Sequence, residues 1–323
     1  MKNILITSAG KRVSLVRAFQ KEAAKMPFPV KIYCCDAAPE LSAACQIADD
    51  YFKVPRLDSP DYCKVLVRNC MEAHIKLIIP TIDTELLLLA KHCKDFISNN
   101  IIPLVSDAQL VDITRDKRKI HQFFSDHWID TAETYAKDNL KFPLFIKPYD
   151  GSRSVGTYLI RKPSELLPKH LNNEKNMFLE YVDHDTHDEF TCDLYYDKTH
   201  RLRCAIPRKR IAVRDGEVNK GVTERNHLEK EIRNKLEVIP GAKGCLTAQF
   251  FVNKNTGRII GNEINARFGG GFPLSYLAGG NFPGWILHEY LLNEEISDQF
   301  NSWESGLLML RYDHEVLVHD YKD

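Results

Sequence analysis

Thr247-Ala248-Gln249-Phe250-Phe251-Val252, the turn Asn253-Lys254-Asn255-Thr256-Gly257, and Ile259-Ile260-Gly261-Asn262-Glu263-Ile264-Asn265-Ala266-Arg267 read together as one β-hairpin. Side chains alternate faces along a strand, so Glu263, Asn265 and Arg267 share one face while Ile264 and Ala266 take the other. Hairpin pairing then sets Gln249 opposite or diagonal to Glu263. One carboxylate and two amide oxygens suit Mg²⁺, which accepts a few protein oxygens and fills its shell with water and phosphate. An adjacent arginine fits a phosphate bridged by that metal. Taken alone, the same row also reads as an amphipathic hairpin whose polar face meets water, so the rest of the chain has to decide.

With 323 residues and 44% hydrophobic content, the chain is long enough for two domains with real cores. Lys+Arg and Asp+Glu both number 44, so no net field recruits nucleic acid or an anionic membrane, and an anionic ligand must be captured by local charges. The 9 cysteines are scattered, with no Cys-x-x-Cys and no zinc spacing, which points to reduced thiols in a cytoplasm. Met1 to Thr7 runs straight into a strand without an apolar signal core, and no apolar run approaches transmembrane length. A soluble cytoplasmic protein is expected, with the last four residues, 320–323, set aside as a tail.

Residues 1–106 alternate short apolar runs with amphipathic segments, the pattern of an open parallel sheet flanked by helices. Strands are expected at 4–7, 30–35, 51–54, 77–80 and 102–105, and helices at 12–25, 61–73 and 85–98. Such domains bind ligands beyond the carboxyl ends of their strands. Two turns lie there, Ser8-Ala9-Gly10-Lys11-Arg12 and Pro80-Thr81-Ile82-Asp83-Thr84-Glu85. The first lacks Gly-x-Gly-x-x-Gly, which argues against NAD. In the second, Thr81, Asp83 and Glu85 either line a substrate site or cap the next helix. After a helical pair at 108–125, strands predominate: 145–150, 176–182, 189–196, 202–213 and 307–312, with helices at 224–238 and 283–292. Gly151-Ser152-Arg153-Ser154-Val155-Gly156 is a small-residue loop where backbone N–H groups can approach phosphate oxygens, or a plain turn. Arg208, Lys209 and Arg210 are either a solvated sheet edge or arginines turned inward.

In order, Lys117, Phe-Ile-Lys147-Pro, Gly151 to Gly156, Phe178-Leu-Glu180-Tyr-Val182, Glu189, Gln249 and Glu263-x-Asn265-x-Arg267 resemble the ATP-grasp superfamily. The likeness is to one synthetase unit of the carbamoyl-phosphate synthase large subunit and to small carboxylate–amine ligases of the pyrrolysine-pathway type. The resemblance implies an α/β protein: a Rossmann-like pre-ATP-grasp domain at 1–106, then an ATP-grasp domain at 107–323 made of two α+β lobes, about 125–182 and about 183–313. It implies ATP and two Mg²⁺ ions, with Mn²⁺ as a substitute, and a possible homodimer through the first domain. Residue by residue, Lys117 and Lys147 resemble the nucleotide lysines. Gly151, Ser152, Ser154, Val155 and Gly156 resemble the phosphate lid, Glu180, Tyr181 and Val182 the adenine hinge, and Glu189 the ribose ligand. Gln249, Glu263 and Asn265 resemble the metal ligands, and Arg267 the γ-phosphate or acyl-phosphate contact, so that Arg267, Lys147 and Asn265 form the catalytic set.

The activity implied joins a carboxylate to an amine, or to a thiol, through an acyl phosphate. Thr81, Asp83, Glu85, Arg208, Arg210 and Gly270 are the candidate substrate residues. No nucleophilic Ser or Cys is needed, and the 12 histidines stay outside the catalytic list, although His184 and His187 could touch substrate. Two alternatives stay open: a nucleotide sensor or scaffold without turnover, and a kinase-like enzyme that stops at the acyl phosphate. Arg153 stands where many members of the superfamily carry glycine, and the single synthetase unit argues against carbamoyl phosphate synthesis itself.

Overall fold

The computed structural model of the chain describes residues 2–151, 155–214 and 216–321. Its first layer is a parallel sheet of β1 (Asn3–Thr7), β2 (Ile32–Asp36), β3 (Asp50–Lys53), β4 (Ile75–Pro80) and β5 (Ile102–Pro103) in the order β3-β2-β1-β4-β5. The helices between them are α1 (Val13–Ala23), α2 (Ala43–Ile47), α3 (Tyr62–Glu72), α4 (Asp83–Lys91) and α5 (Cys93–Ser98). Both faces of this sheet are covered, so β1 is buried along its whole length. Leu5, Cys35 and Ile78 pack on one side, and Ile4, Ile6, Cys34, Leu77 and Ile79 on the other. The expected helix over 85–98 breaks at His92, where α4 ends and α5 begins.

A helical pair, α6 (Ala108–Arg115) and α7 (Lys117–Asp126), follows. Asp107 and Asp116 cap them by accepting from the N–H groups of Leu110 and Arg118. Next come β6 (Asp130–Thr131), β7 (Thr134–Tyr135), β8 (Leu144–Pro148), β9 (Tyr158–Ile160), α8 (Pro168–Asn172) and β10 (Asn176–Glu180). Strands β7, β10, β8 and β9 form a small antiparallel sheet with its own core of Leu144, Ile146, Ile160 and Phe178.

The large sheet runs β16-β13-β12-β11-β14-β15-β6. It contains β11 (His187–Tyr196), β12 (Leu202–Arg214), β13 (Glu217–Thr223), β14 (Gly244–Asn253), β15 (Ile259–Asn265) and β16 (Leu308–Leu310), with α9 (His227–Lys235), α10 (Phe272–Leu277) and α11 (Phe282–Leu287). Its strands pair antiparallel except β15 with β6. On β14, Leu246, Ala248, Phe250 and Val252 enter the core that includes α6, α7 and α9. The alternate residues Thr247 and Gln249 are left for the opposite face. Strand β12 is flanked by β11 and β13, so Arg208 and Arg210 lie on an interior strand and the solvated-edge reading fails.

Gly261 sets how closely α7 approaches β15: a Cβ there would lie 2.7 Å from ring carbons of Phe124, itself fully buried. Gly261→Ala is therefore expected to cost about 1–3 kcal/mol through overpacking, seen as a lower denaturation midpoint with an unchanged m-value. A midpoint equal to the parent protein's would refute the close packing. Among the described residues no helix is long and apolar enough to cross a membrane.

Candidate active site

The β14–β15 hairpin has the register read from the sequence: Gln249 faces Glu263, and Thr247 faces Asn265. Ile264 and Ala266 are buried, while Glu263, Asn265 and Arg267 line a cavity of about 570 Å³. Glu263 Oε1 accepts from Gln249 Nε2 at 2.7 Å and from Asn265 Nδ2 at 3.1 Å. A β-bulge adds something alternation alone does not give. Gln249 pairs with Glu263 but Phe250 pairs with Gly261, so Asn262 is the extra residue. Both Asn262 and Glu263 then line a second cavity of about 440 Å³. Asn262 Oδ1 accepts from Lys147 Nζ at 2.9 Å, joining the small sheet to the large one.

The two cavities share Lys117, Gly151, Arg210, Gly216, Gln249 and Glu263. The second has an apolar wall of Phe145, Leu179, Val182 and Phe251 beside Glu180, Tyr181 and Glu189. Val155 also lines it, Gly156 lines neither cavity, and Ser152 and Ser154, expected in the phosphate lid, lie with Arg153 outside the described residues. Lys117 begins α7 and hydrogen-bonds the Gly151 carbonyl through Nζ. His184 lines the second cavity, whereas His187 bonds Asn253 at 3.1 Å beside the hairpin turn.

The site's electrostatics are those of cations held out of water. Burial pushes the Lys147 ammonium down to about 8, with Glu263 opposing and Lys117 adding to the shift. Burial likewise lowers Lys117. His121 is driven to about 4 by burial and by the charges of Lys147 and Lys117, so it is neutral at pH 7. Burial raises the Glu189 carboxyl even though Arg210 Nη1 stands 3.1 Å away.

Among the described residues, three buried guanidinium nitrogens around this space have no hydrogen-bond acceptor: Arg208 Nη1, Arg210 Nε and Arg267 Nε. Buried donors normally have partners, so such a cluster fits an anion with several oxygens, such as a polyphosphate. Gln249, Glu263 and Asn265, the expected metal ligands, lie side by side on the hairpin. Among the described residues no group of three His, Cys, Asp or Glu is arranged for a metal. One carboxylate with two amide oxygens is a donor set of the kind that suits a hard cation.

Of the candidate substrate residues, Thr81, Asp83, Arg208, Arg210 and Gly270 line the first cavity. Asp83 Oδ2 accepts from Arg267 Nη2 at 2.7 Å, crossing from α4 to the end of the hairpin. Arg208 is 1% exposed, its Nε and Nη2 fixed by Asp193 at 2.8 and 3.1 Å. Glu85 is a correction. It is fully buried beneath the sheet end, accepting from Tyr62 Oη at 2.6 Å and Ser8 Oγ at 3.0 Å, and it lines neither cavity. Thr81 does not cap α4 either; its hydroxyl donates to the carbonyls of Thr7 and Ser8. Lys11 and Arg12, in the turn expected on the ligand side of the first sheet, line the first cavity, whereas Asn262 and Glu217 were not anticipated, and the bulge and the approach of two sheets explain why.

No curated protein matches the sequence. Among solved structures, a biotin carboxylase from Campylobacter jejuni superposes with a TM-score of 0.71 at 14% identity, covering 95% of this chain and 74% of that one. An N5-carboxyaminoimidazole synthetase from Staphylococcus aureus, complexed with ADP, gives 0.67 at 15% identity, covering 88% and 76%. An L-amino acid ligase from Bacillus licheniformis gives 0.64 at 17%, covering 90% and 74%. At such identities the likeness is one of fold. Residues 4–104 match the model of a PylC-like N-terminal domain, and residues 173–312 match that of an ATP-grasp domain from a biosynthetic pathway with a Ter operon. Fold and family models agree at both ends of the sequence, and the chain belongs to the ATP-grasp superfamily.

Proposed function

We propose that the chain is an ATP- and Mg²⁺-dependent ligase that activates a small carboxylic acid as its acyl phosphate and passes the acyl group to an amine. Residues 1–106 would precede an ATP-grasp domain at 107–323. The observation that carries the reading is that the two cavities meet at Gln249 and Glu263, between Lys117 and Arg210. A nucleotide in the second cavity would direct its terminal phosphate toward an acid in the first. The Phe145, Leu179, Val182 and Phe251 wall supports a base there, and Glu189 a ribose.

A carboxylate oxygen attacking the γ-phosphorus brings two anions together, so the protein must chiefly position them and neutralise charge. Lys147, Lys117 and Arg210 would meet the nucleotide phosphates, and Arg267 the transferred group. Gln249, Glu263 and Asn265 would hold Mg²⁺, which would neutralise charge developing on the phosphate oxygens. The carboxylate–phosphorus bond forms as the bond to ADP breaks. The amine then attacks the acyl carbon, phosphate leaves, and the amine loses its proton.

The test is ADP release with Mg²⁺, crossing small carboxylic acids with amines. Release that requires both partners, lost on chelation with EDTA and restored by Mg²⁺ or Mn²⁺, is the expected result. Release without any amine would favour the kinase-like reading. Tight nucleotide binding without ADP release from any pair would favour a sensor.

A further inference from the structure

The first cavity extends beyond the hairpin to a turn that the nucleotide reading does not use, Ser8-Ala9-Gly10-Lys11-Arg12, between β1 and α1. The turn is pinned from several sides. Ser8 and Gly10 have positive φ of 51° and 48°. The Gly10 carbonyl accepts from Ser42 Oγ and Ala44 N, the Gly10 N–H donates to Asp36 Oδ2, and the Ser8 carbonyl accepts from Thr81. Lys11 and Arg12 both line the first cavity and neither lines the second.

Their charges are poorly matched. Glu217 Oε1 stands 3.9 Å from Arg12, at the limit of an ion pair, and its other oxygen already takes Arg311 Nη1 at 3.2 Å. Asp83, the other lining carboxylate on this side, is held by Arg267. Lys11, Arg12 and Arg311 therefore converge on Glu217, while the other carboxylates that act on them, Asp83 and Asp313, are already paired with Arg267 and Arg214, although the Arg12 side chain is only 19% exposed. Burial lowers the Arg12 pKa. Arg208, which lines the same cavity, has its buried Nη1 without an acceptor among the described residues. Gly270 keeps the passage open, since a Cβ there would meet the Glu217 carboxyl carbon at 2.5 Å. Guanidinium groups withdrawn from water without enough carboxylates are costly unless an anion completes them. The amino end of α1 adds a favourable field for negative charge.

We propose that the acid activated here carries a second anionic group, a carboxylate or a phosphate, and that Lys11 and Arg12 bind it. This rests on the ligase reading for the position of the first carboxylate. It makes the substrate a dicarboxylate or a phosphorylated acid, with one end at Arg267 and the other at the β1–α1 turn.

Calorimetric titration tests it, with glutarate, 4-phosphonobutyrate and butyrate added to protein saturated with Mg²⁺ and a nonhydrolysable ATP analogue. At least one dianion is expected to bind about tenfold or more tightly than butyrate, and the tighter of the two identifies the second group. Arg12→Gln should abolish that margin while the affinity for the ATP analogue stays within about twofold. Lys11→Gln, on an exposed side chain, should reduce it even if the Arg12 variant fails to fold. Equal binding of butyrate, no binding of either dianion up to about 10 mM, or a margin that survives both substitutions overturns the proposal. Titration of the analogue comes first. If it does not bind, the ligase reading falls, and the dianion titration on the protein alone, repeated with Arg12→Gln, still decides whether Lys11 and Arg12 bind the second anionic group.

Discussion

Glu263→Gln is expected to lower kcat at least about 1000-fold, while the nucleotide still binds within about tenfold of the parent affinity. The substitution keeps the shape, and it keeps an oxygen that can accept from Gln249 and Asn265, so the hairpin should stay folded. What it removes is the one carboxylate of the proposed metal set, the group able to anchor a divalent cation against the phosphates. Glu263 also opposes the downward shift of Lys147, so its loss makes that ammonium harder to keep charged. Steady-state ADP release together with calorimetric titration of an ATP analogue separates the effects. Turnover surviving in this variant would remove the hairpin from the chemistry.

Lys147→Met is expected to act oppositely on binding and on stability. Without its ammonium, affinity for an ATP analogue should fall about 100-fold. The folded protein should nevertheless gain about 1–2 kcal/mol near neutral pH. A shift from the ordinary lysine value of 10.5 to about 8 corresponds to roughly 3 kcal/mol of penalty for holding the charged form, less about 1 kcal/mol for Asn262 losing its donor. The sign follows from proton counting. Between about pH 8 and 10.5 the unfolded chain binds more protons at this lysine than the folded chain does. Stability from this position therefore rises with pH through that window and is lowest below it. Nucleotide binding carries the complementary dependence: phosphate favours the ammonium, so affinity should weaken above pH 8 by up to about tenfold per unit in the parent and stay flat in the variant. Thermal unfolding and calorimetry across pH 7–10 check both halves. A variant no more stable than its parent would show that Lys147 is not held at a cost.

Much of this was legible because period-two alternation is strict and the hairpin turn is short. Once Ile264 and Ala266 must be inside, Glu263 and Asn265 must lie on the other face, and the observed register follows. The parallel first sheet was readable for a different reason, since strands covered on both faces read as continuous apolar runs such as Ile4-Leu5-Ile6. What escaped depends on contacts between segments far apart. Glu217–Thr223 carries Gly221, Lys220 and few apolar residues, so nothing local marks it as a strand next to β12. Arg208 sits in a run of three cations that reads as a surface, yet Asp193, fully buried on β11, makes it interior. Lys209, between the two arginines, does face outward to Asp188. Glu85 looked available because it follows a strand end, but Tyr62 and Ser8, distant in sequence, enclose it. Asn262 required a bulge, which alternation cannot announce.

The bond between Arg267 and Asp83 has a consequence for the turnover cycle. On the proposed assignment, the arginine that greets the transferred phosphate already holds a carboxylate supplied by the first sheet. The protein carries its own place-holder anion. Each round begins by evicting Asp83 and closes with its return, so departure of inorganic phosphate becomes an exchange of partners in which Arg267 is never stranded.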